Sequence, residues 1–301
     1  MDPIGEGEVT LLASEYAKVV RSLGVRTGDP LLILPNGDFF PDRFRGDQGS
    51  IEALVARLSG YAGLDVAVGA RLVGAEAEGC GEGSCGTGGC GTSPAPSSGG
   101  RTRTLRQDGE WLLEVPAQEL ADPIVLTARL ASALSAVFWM ESGEVNEVSA
   151  EHAEVAAVGL GFGVLLLEAS YLYKKSCGGP SVGRATALDC RSLSVLFSLF
   201  LAREGLTPRA ARAELGATQQ ALVDSAWLVV DESPTMVGAL KNDLDRVAAG
   251  RFPLRDGRSW LGRLLGKRKA PNREDEALAA LERGASVDEL ATLLGAGETR
   301  R

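Results

Sequence analysis

Apolar residues recur at helical spacing from the start of the chain. Over residues 6–24, Val9, Leu12, Ala13, Tyr16, Val19, Val20 and Leu23 share one face, which predicts an amphipathic helix. The run "PLLILP" (30–35) reads as a short apolar strand between prolines. "NGDFFPDRFRGDQGS" follows as a loop, with Ser50 placed to cap a helix running to about Tyr61. "LDVAVGARLV" (64–73) alternates as a strand does. "RTRTLRQDGEWLLEVP" has two β-prone runs around Asp108-Gly109, the pair a type I′ hairpin turn favours.

From Asp122 onward the pattern is helical. Asp122-Pro123 joins a capping residue to a first-turn proline, predicting a helix to about Met140. Further helices are expected over about 147–174, over about 186–204 with Gly205 closing, after Thr207-Pro208, from Thr218 through Val230, and over about 234–249. "REDEALAALERG" and "SVDELATLLGAG" read as two short helices, the second opened by a capping box from Ser286 to Glu289. The apolar run "VAAVGLGFGVLLL" (155–167) rises about 20 Å as a helix, short of the roughly 30 Å of a bilayer core. Glu154 and Glu168 flank it, so a buried core helix is expected. Its "GLGFG" (159–163) has no phosphate-binding lysine, and the glycines there suit close helix–helix approach. No internal repeat is visible. The expected fold class is α+β: a small N-terminal sheet with a hairpin, packed on a mainly helical core, plus short C-terminal helices. The division expected is 1–250, a basic segment 251–273 and a helical tail 274–301.

Composition narrows the function classes. With 301 residues, 45% apolar and 24% charged, the chain is an ordinary globular protein. Its net charge of −9 argues against nucleic acid as a partner. The charge is uneven: Arg251 to Arg273 holds eight basic residues against Asp256 alone, so a segment of +7 joins a remainder of −16. In "RSWLGRLLGKRKAPNR" (258–273), Trp260, Leu261, Leu264 and Leu265 fall at helical spacing beside Arg263, Lys267, Arg268 and Lys269. That pattern fits a linker helix folded back on the acidic body, a docking element for an acidic protein partner or, least favoured, a helix on an anionic membrane surface. The first twenty residues lack the basic start of a signal peptide, so a cytoplasmic location is expected. The five cysteines, an odd number, are then expected as thiols or ligands rather than disulfides.

Three of them punctuate "GCGEGSCGTGGCGTS" (79–93), inside a glycine-rich loop spanning 78–100. Cys80, Cys85 and Cys90 do not follow the C-x2-C spacing of common zinc sites, and three thiolates would need Cys177 or Cys190 as a fourth ligand. The seven glycines between 79 and 91 let the backbone wrap an ion but make the loop costly to order. A solvent-facing loop is the expectation; zinc or another metal, or a redox thiol, is the alternative. His152 is the only histidine, which excludes any His pair. Beside Glu151 and Glu154 it fits a helix residue with ion-pair neighbours better than a general base. No G-x-S-x-G elbow or Walker loop is present.

"LPNGDFFPDRF", the glycine–cysteine loop, the hairpin and then "DPIVLTARLA" together resemble a group of uncharacterised bacterial proteins with a zincin-like core. The likeness covers roughly residues 25–230, and "ALDCRSLSVLFSLFLAREGLTP" resembles the helix that follows in that group. Members with an intact core carry H-E-x-x-H on the helix after "DP", two histidines for Zn²⁺ and a glutamate as general base. The resemblance places those positions at Ser132, Ala133 and Ala136, in "SALSA". A serine hydroxyl is a poor zinc ligand and alanine offers none, so metallopeptidase chemistry is not expected here. The third ligand would fall among Glu151, His152 and Glu154. The resemblance thus implies a pseudoenzyme without cofactor, whose scaffold serves to bind another protein.

Overall fold

The computed structural model describes residues 4–24, 32–74, 101–143, 145–176 and 179–256. The chain divides into a unit of Met1–Arg255 and a unit of Asp256–Arg301, and the fold described here is that of the first. It is mixed α+β. Helix α1 (Glu6–Leu23) buries the stripe Val9, Ala13, Tyr16, Val20 and Leu23. Helix α2 (Gln48–Ala62) leads into strand β1 (Val68–Val73), which lies parallel to β3 (Glu110–Pro116); β3 pairs antiparallel with β2 (Arg103–Gln107), so β3 is central. Trp111, Leu113 and Val115 of β3 point to the core, with solvent-side residues between them, as a half-buried strand requires. The free edge of β1 is closed by a side chain: the Gln48 amide donates to Ala70 O at 2.6 Å and accepts from Leu72 N at 3.0 Å. An unpaired strand edge is thereby blunted at the start of α2.

The hairpin turn is as the sequence predicts. Asp108 and Gly109 both have positive φ, 53° and 89°, the requirement of a type I′ turn. A short 3₁₀ turn (Ala117–Ala121) then leads into α3 (Pro123–Glu141), capped by the Asp122 carboxylate accepting from Val125 N at 3.3 Å. Among the described residues α3 is one helix long and apolar enough to cross a membrane, but more than half of its apolar window is buried inside the protein.

The predicted helix over 147–174 is two helices and a strand. Helix α4 (Ala150–Gly159) ends where Gly161 takes φ +99°, and α5 (Gly163–Ser170) begins in a new direction. Every position from Ala153 to Leu167 is buried, so there was no polar face whose interruption would mark the break. The glycines do allow close approach. A Cβ on Gly159 would sit 3.1 Å from Val20 of α1, and one on Gly163 would sit 2.6 Å from the Phe197 ring. After α5 a two-stranded antiparallel ribbon, β4 (Leu172–Ser176) and β5 (Gly179–Gly183), interrupts the helical half where none was expected.

Helix α6 (Cys190–Glu204) is the centre of the core, its side chains from Leu193 to Leu201 buried all round; Ser194 and Ser198 return their hydroxyls to the carbonyls of Cys190 and Ser194. Asp189 caps its start and Gly205, in the left-handed region, ends it. Against it pack α7 (Ala217–Asp231) and α8 (Pro234–Asn242), while α9 (Leu244–Ala248) packs against α1 and α8. Four further expectations need correction. "PLLILP" forms no strand over its described residues; Ile33 N instead bonds the Gly161 carbonyl at the α4–α5 break. Asp47, not Ser50, caps α2, by accepting from Ser50 N at 2.8 Å. Thr207-Pro208 opens two 3₁₀ turns rather than a helix, and the last predicted helix divides because the Asp243 carboxylate starts a new cap at Arg246 N. The tail helices and the basic segment beyond Asp256 lie outside the described residues, as does the glycine–cysteine loop.

Candidate functional site

Helical spacing gives α3 two working faces. Leu126, Leu130, Leu134 and Val137 enter the core. Arg129, Ser132, Ala133, Ala136 and Met140, at i, i+3, i+4, i+7 and i+11, line a cavity of about 380 Å³ instead. The opposite wall comes from Ala150, Ala153 and Glu154 of α4 and from Ala185–Ala187 ahead of α6, with Thr102 and Thr104 at one end. The three positions implied by the resemblance therefore face one cavity, and short side chains at those positions leave it open.

Of the three residues expected near a third-ligand position, only Glu154 reaches this cavity. It is 5% exposed, and its carboxylate accepts from Ala187 N at 2.6 Å and Leu188 N at 2.8 Å. Burial pushes its pKa up to about 7, the two backbone bonds pull the other way, Glu151 adds a further upward push and Arg184 a downward one. The other two point elsewhere. Glu151 is exposed, and bonds from its own backbone and from the Ser149 hydroxyl hold it below the usual carboxylate range. His152 packs edge-on against Trp139 at 5.8 Å, places Nδ1 3.0 Å from the Ser149 hydroxyl and Nε2 3.6 Å from Glu15 on α1. That is the helix histidine with an ion-pair neighbour expected from its sequence setting. The structure does not bring Glu151, His152 and Glu154 together as an acid–base group.

Sequence reasoning missed a second anchored pair. Glu119, on the 3₁₀ turn, is 4% exposed and accepts from Thr102 N at 3.0 Å, from the Thr102 hydroxyl at 2.6 Å and from the Arg129 guanidinium. Arg129 stands three residues before Ser132 on the same stripe, so the helical spacing could have drawn attention to it. Nothing near Glu119 in the sequence marked its partner. Arg101 and Glu147 are exposed at the cavity rim.

No protein family, curated protein or solved structure matches the chain. What the cavity can do must be read from its chemistry.

Its most buried charged groups, Glu154 and Arg129, are both engaged in tying segments together: α4 to the loop before α6, and α3 to the turn before it. The rest of the cavity is walled largely by alanines, threonines and Met140. Among the described residues no group of three or more His, Cys, Asp or Glu is placed to hold a metal ion. Of the proposed cysteine ligands only Cys190 is described. It is buried at the start of α6, and burial pushes its thiol pKa up, against the thiolate form a metal needs. Cys80, Cys85, Cys90 and Cys177 lie outside the described residues, as do Trp260, Leu261, Arg263, Leu264, Leu265, Lys267, Arg268 and Lys269.

Proposed function

We propose that this protein is a non-catalytic, protein-binding scaffold of the cytoplasm, built on a zincin-like core whose catalytic helix has lost its ligands. One observation carries the reading: Ser132, Ala133 and Ala136 face a common cavity together with Glu154, the arrangement a metallopeptidase core would use, yet Glu154 is committed to two backbone N–H groups. The acid that would complete a metal site acts as a structural clamp. The partner is an acidic protein, met by the basic segment around Trp260, Leu264 and Lys267–Lys269. The alternative is a metal- or thiol-dependent protein using Cys80, Cys85 and Cys90, with Cys177 rather than the buried Cys190 as the better-suited fourth ligand.

The test uses the full chain with Arg263, Lys267, Arg268 and Lys269 all changed to Glu. Both proteins are recovered by affinity from the native host and their associated proteins quantified. Loss of a stoichiometric acidic partner from the variant is expected. Retention of every partner would overturn the docking assignment.

A further inference from the structure

A second cavity, of about 570 Å³, opens at the first turn of α3, far along the helix from Ala136 and Met140. It is formed where the loop 40–47 folds across α2 and α3, and that loop is fixed at both ends. The Tyr61 hydroxyl donates to Phe39 O at 2.7 Å, with both Phe39 and Phe40 edge-on to its ring. At the other end the Asp47 carboxylate accepts from the Ser50 N–H and hydroxyl, and Arg45 N donates to the Ser50 hydroxyl at 3.1 Å.

These bonds decide which charges remain for a ligand. Asp42 is paired with Arg57, and Asp47 is occupied by Ser50. Arg43 and Arg45 line the same cavity, are exposed, and have no ion-pair partner among the described residues. Between them stands Phe44, 36% exposed, and Phe40, Leu54 and Leu126 complete an apolar wall. The cavity thus sets two exposed guanidinium groups beside exposed aromatic surface. Asp47 acts on Arg45 through space, and an anion in the cavity would gain charge-assisted hydrogen bonds from both guanidinium groups. The volume falls in the range of small-molecule sites, about 300–1,000 Å³.

We propose that this cavity binds an amphipathic organic anion, its carboxylate or phosphate head held by Arg43 and Arg45 and its apolar body laid against Phe44, Phe40 and Leu54. Guanidinium groups match either head through paired, charge-assisted hydrogen bonds. The assignment is independent of the zincin reading, because neither the residues nor the cavity are shared with the α3 stripe around Ser132.

Isothermal titration of the full-length protein with sodium decanoate, and separately with decyl phosphate, tests it, with decanol as the neutral control. Saturable binding of at least one anion is expected, and the tighter of the two identifies the head group. The Arg43→Ala/Arg45→Ala variant, altered only at exposed positions, is expected to bind about tenfold or more weakly. Phe44→Ser is expected to weaken both anions alike, since it removes only the apolar contact. No saturable binding of either anion, equal binding by the double variant, or decanol binding as tightly as decanoate would overturn the proposal.

Discussion

Replacing Glu154 by alanine removes the acceptor that two backbone N–H groups share, at Ala187 and Leu188. Orphaning buried donors costs about 1–3 kcal/mol each, and the open cavity lets water recover part of it, so a loss of about 2–4 kcal/mol is expected at pH 5. The pH dependence has a definite sign. Glu154's folded pKa lies near 7, above its ordinary 4.5, so the native state holds the proton that the unfolded chain releases. The contribution of this carboxyl to wild-type stability is therefore fully present below the unfolded value and is lost as pH rises through 7. Between pH 5 and 8 this carboxyl withdraws about 2–3 kcal/mol, which the alanine variant does not lose. The destabilisation by Glu154→Ala must accordingly shrink from pH 5 to pH 8. Glu168, which burial with a push from Glu214 also raises to about 7, titrates in both proteins and cancels in the difference. Urea unfolding followed by circular dichroism at the two pH values measures it. A difference that stays constant, or grows with pH, would refute burial as the dominant influence on this carboxyl.

Other outcomes follow from the same geometry. Restoring the ligand set with Ser132→His/Ala133→Glu/Ala136→His should confer zinc binding that weakens when Glu154→Gln is added; equilibrium dialysis showing no zinc gain would remove the zincin reading of this cavity. Gly163→Ala would drive a methyl to 2.6 Å from Phe197, and such overpacking should cost about 1–3 kcal/mol, read as a lower Tm. Cys190, buried and with its thiol pKa raised, should resist a thiol reagent in the native protein and react at once in urea; fast native reaction would contradict its placement.

Where a local rule demanded particular residues, the fold was legible in the sequence. Asp108-Gly109 specified a turn with two positive φ values, and Asp122-Pro123 marked the first turn of α3 within a residue. Two of the errors come from a signal that is not local, and the cap choices at Asp47 and Asp243 come from local alternatives that the sequence leaves equal. The break at Gly161 is invisible because every position from Ala153 to Leu167 is buried, and periodicity needs a polar face to be seen. "PLLILP" looked like a strand, but the described part of it is satisfied by the carbonyl of Gly161, over a hundred positions away. At Asp47 and Ser50 either side chain can cap a helix, and only the backbone geometry chose the aspartate. The site divided in the same way. The stripe Ser132, Ala133 and Ala136 follows from helical spacing, whereas the role of Glu154 depends on the loop at 187–188, and Arg129 gains its partner only when the 3₁₀ turn folds back.

We propose that the protein holds no stoichiometric metal, either in the α3 cavity or at its cysteines, and that its use is binding. Elemental mass spectrometry of the untagged, full-length protein, compared with Cys80→Ser, tests it most directly. The account predicts no stoichiometric zinc or other transition metal in either protein. Near one equivalent in the wild type, lost in Cys80→Ser, would contradict it and make the cysteine loop a metal site.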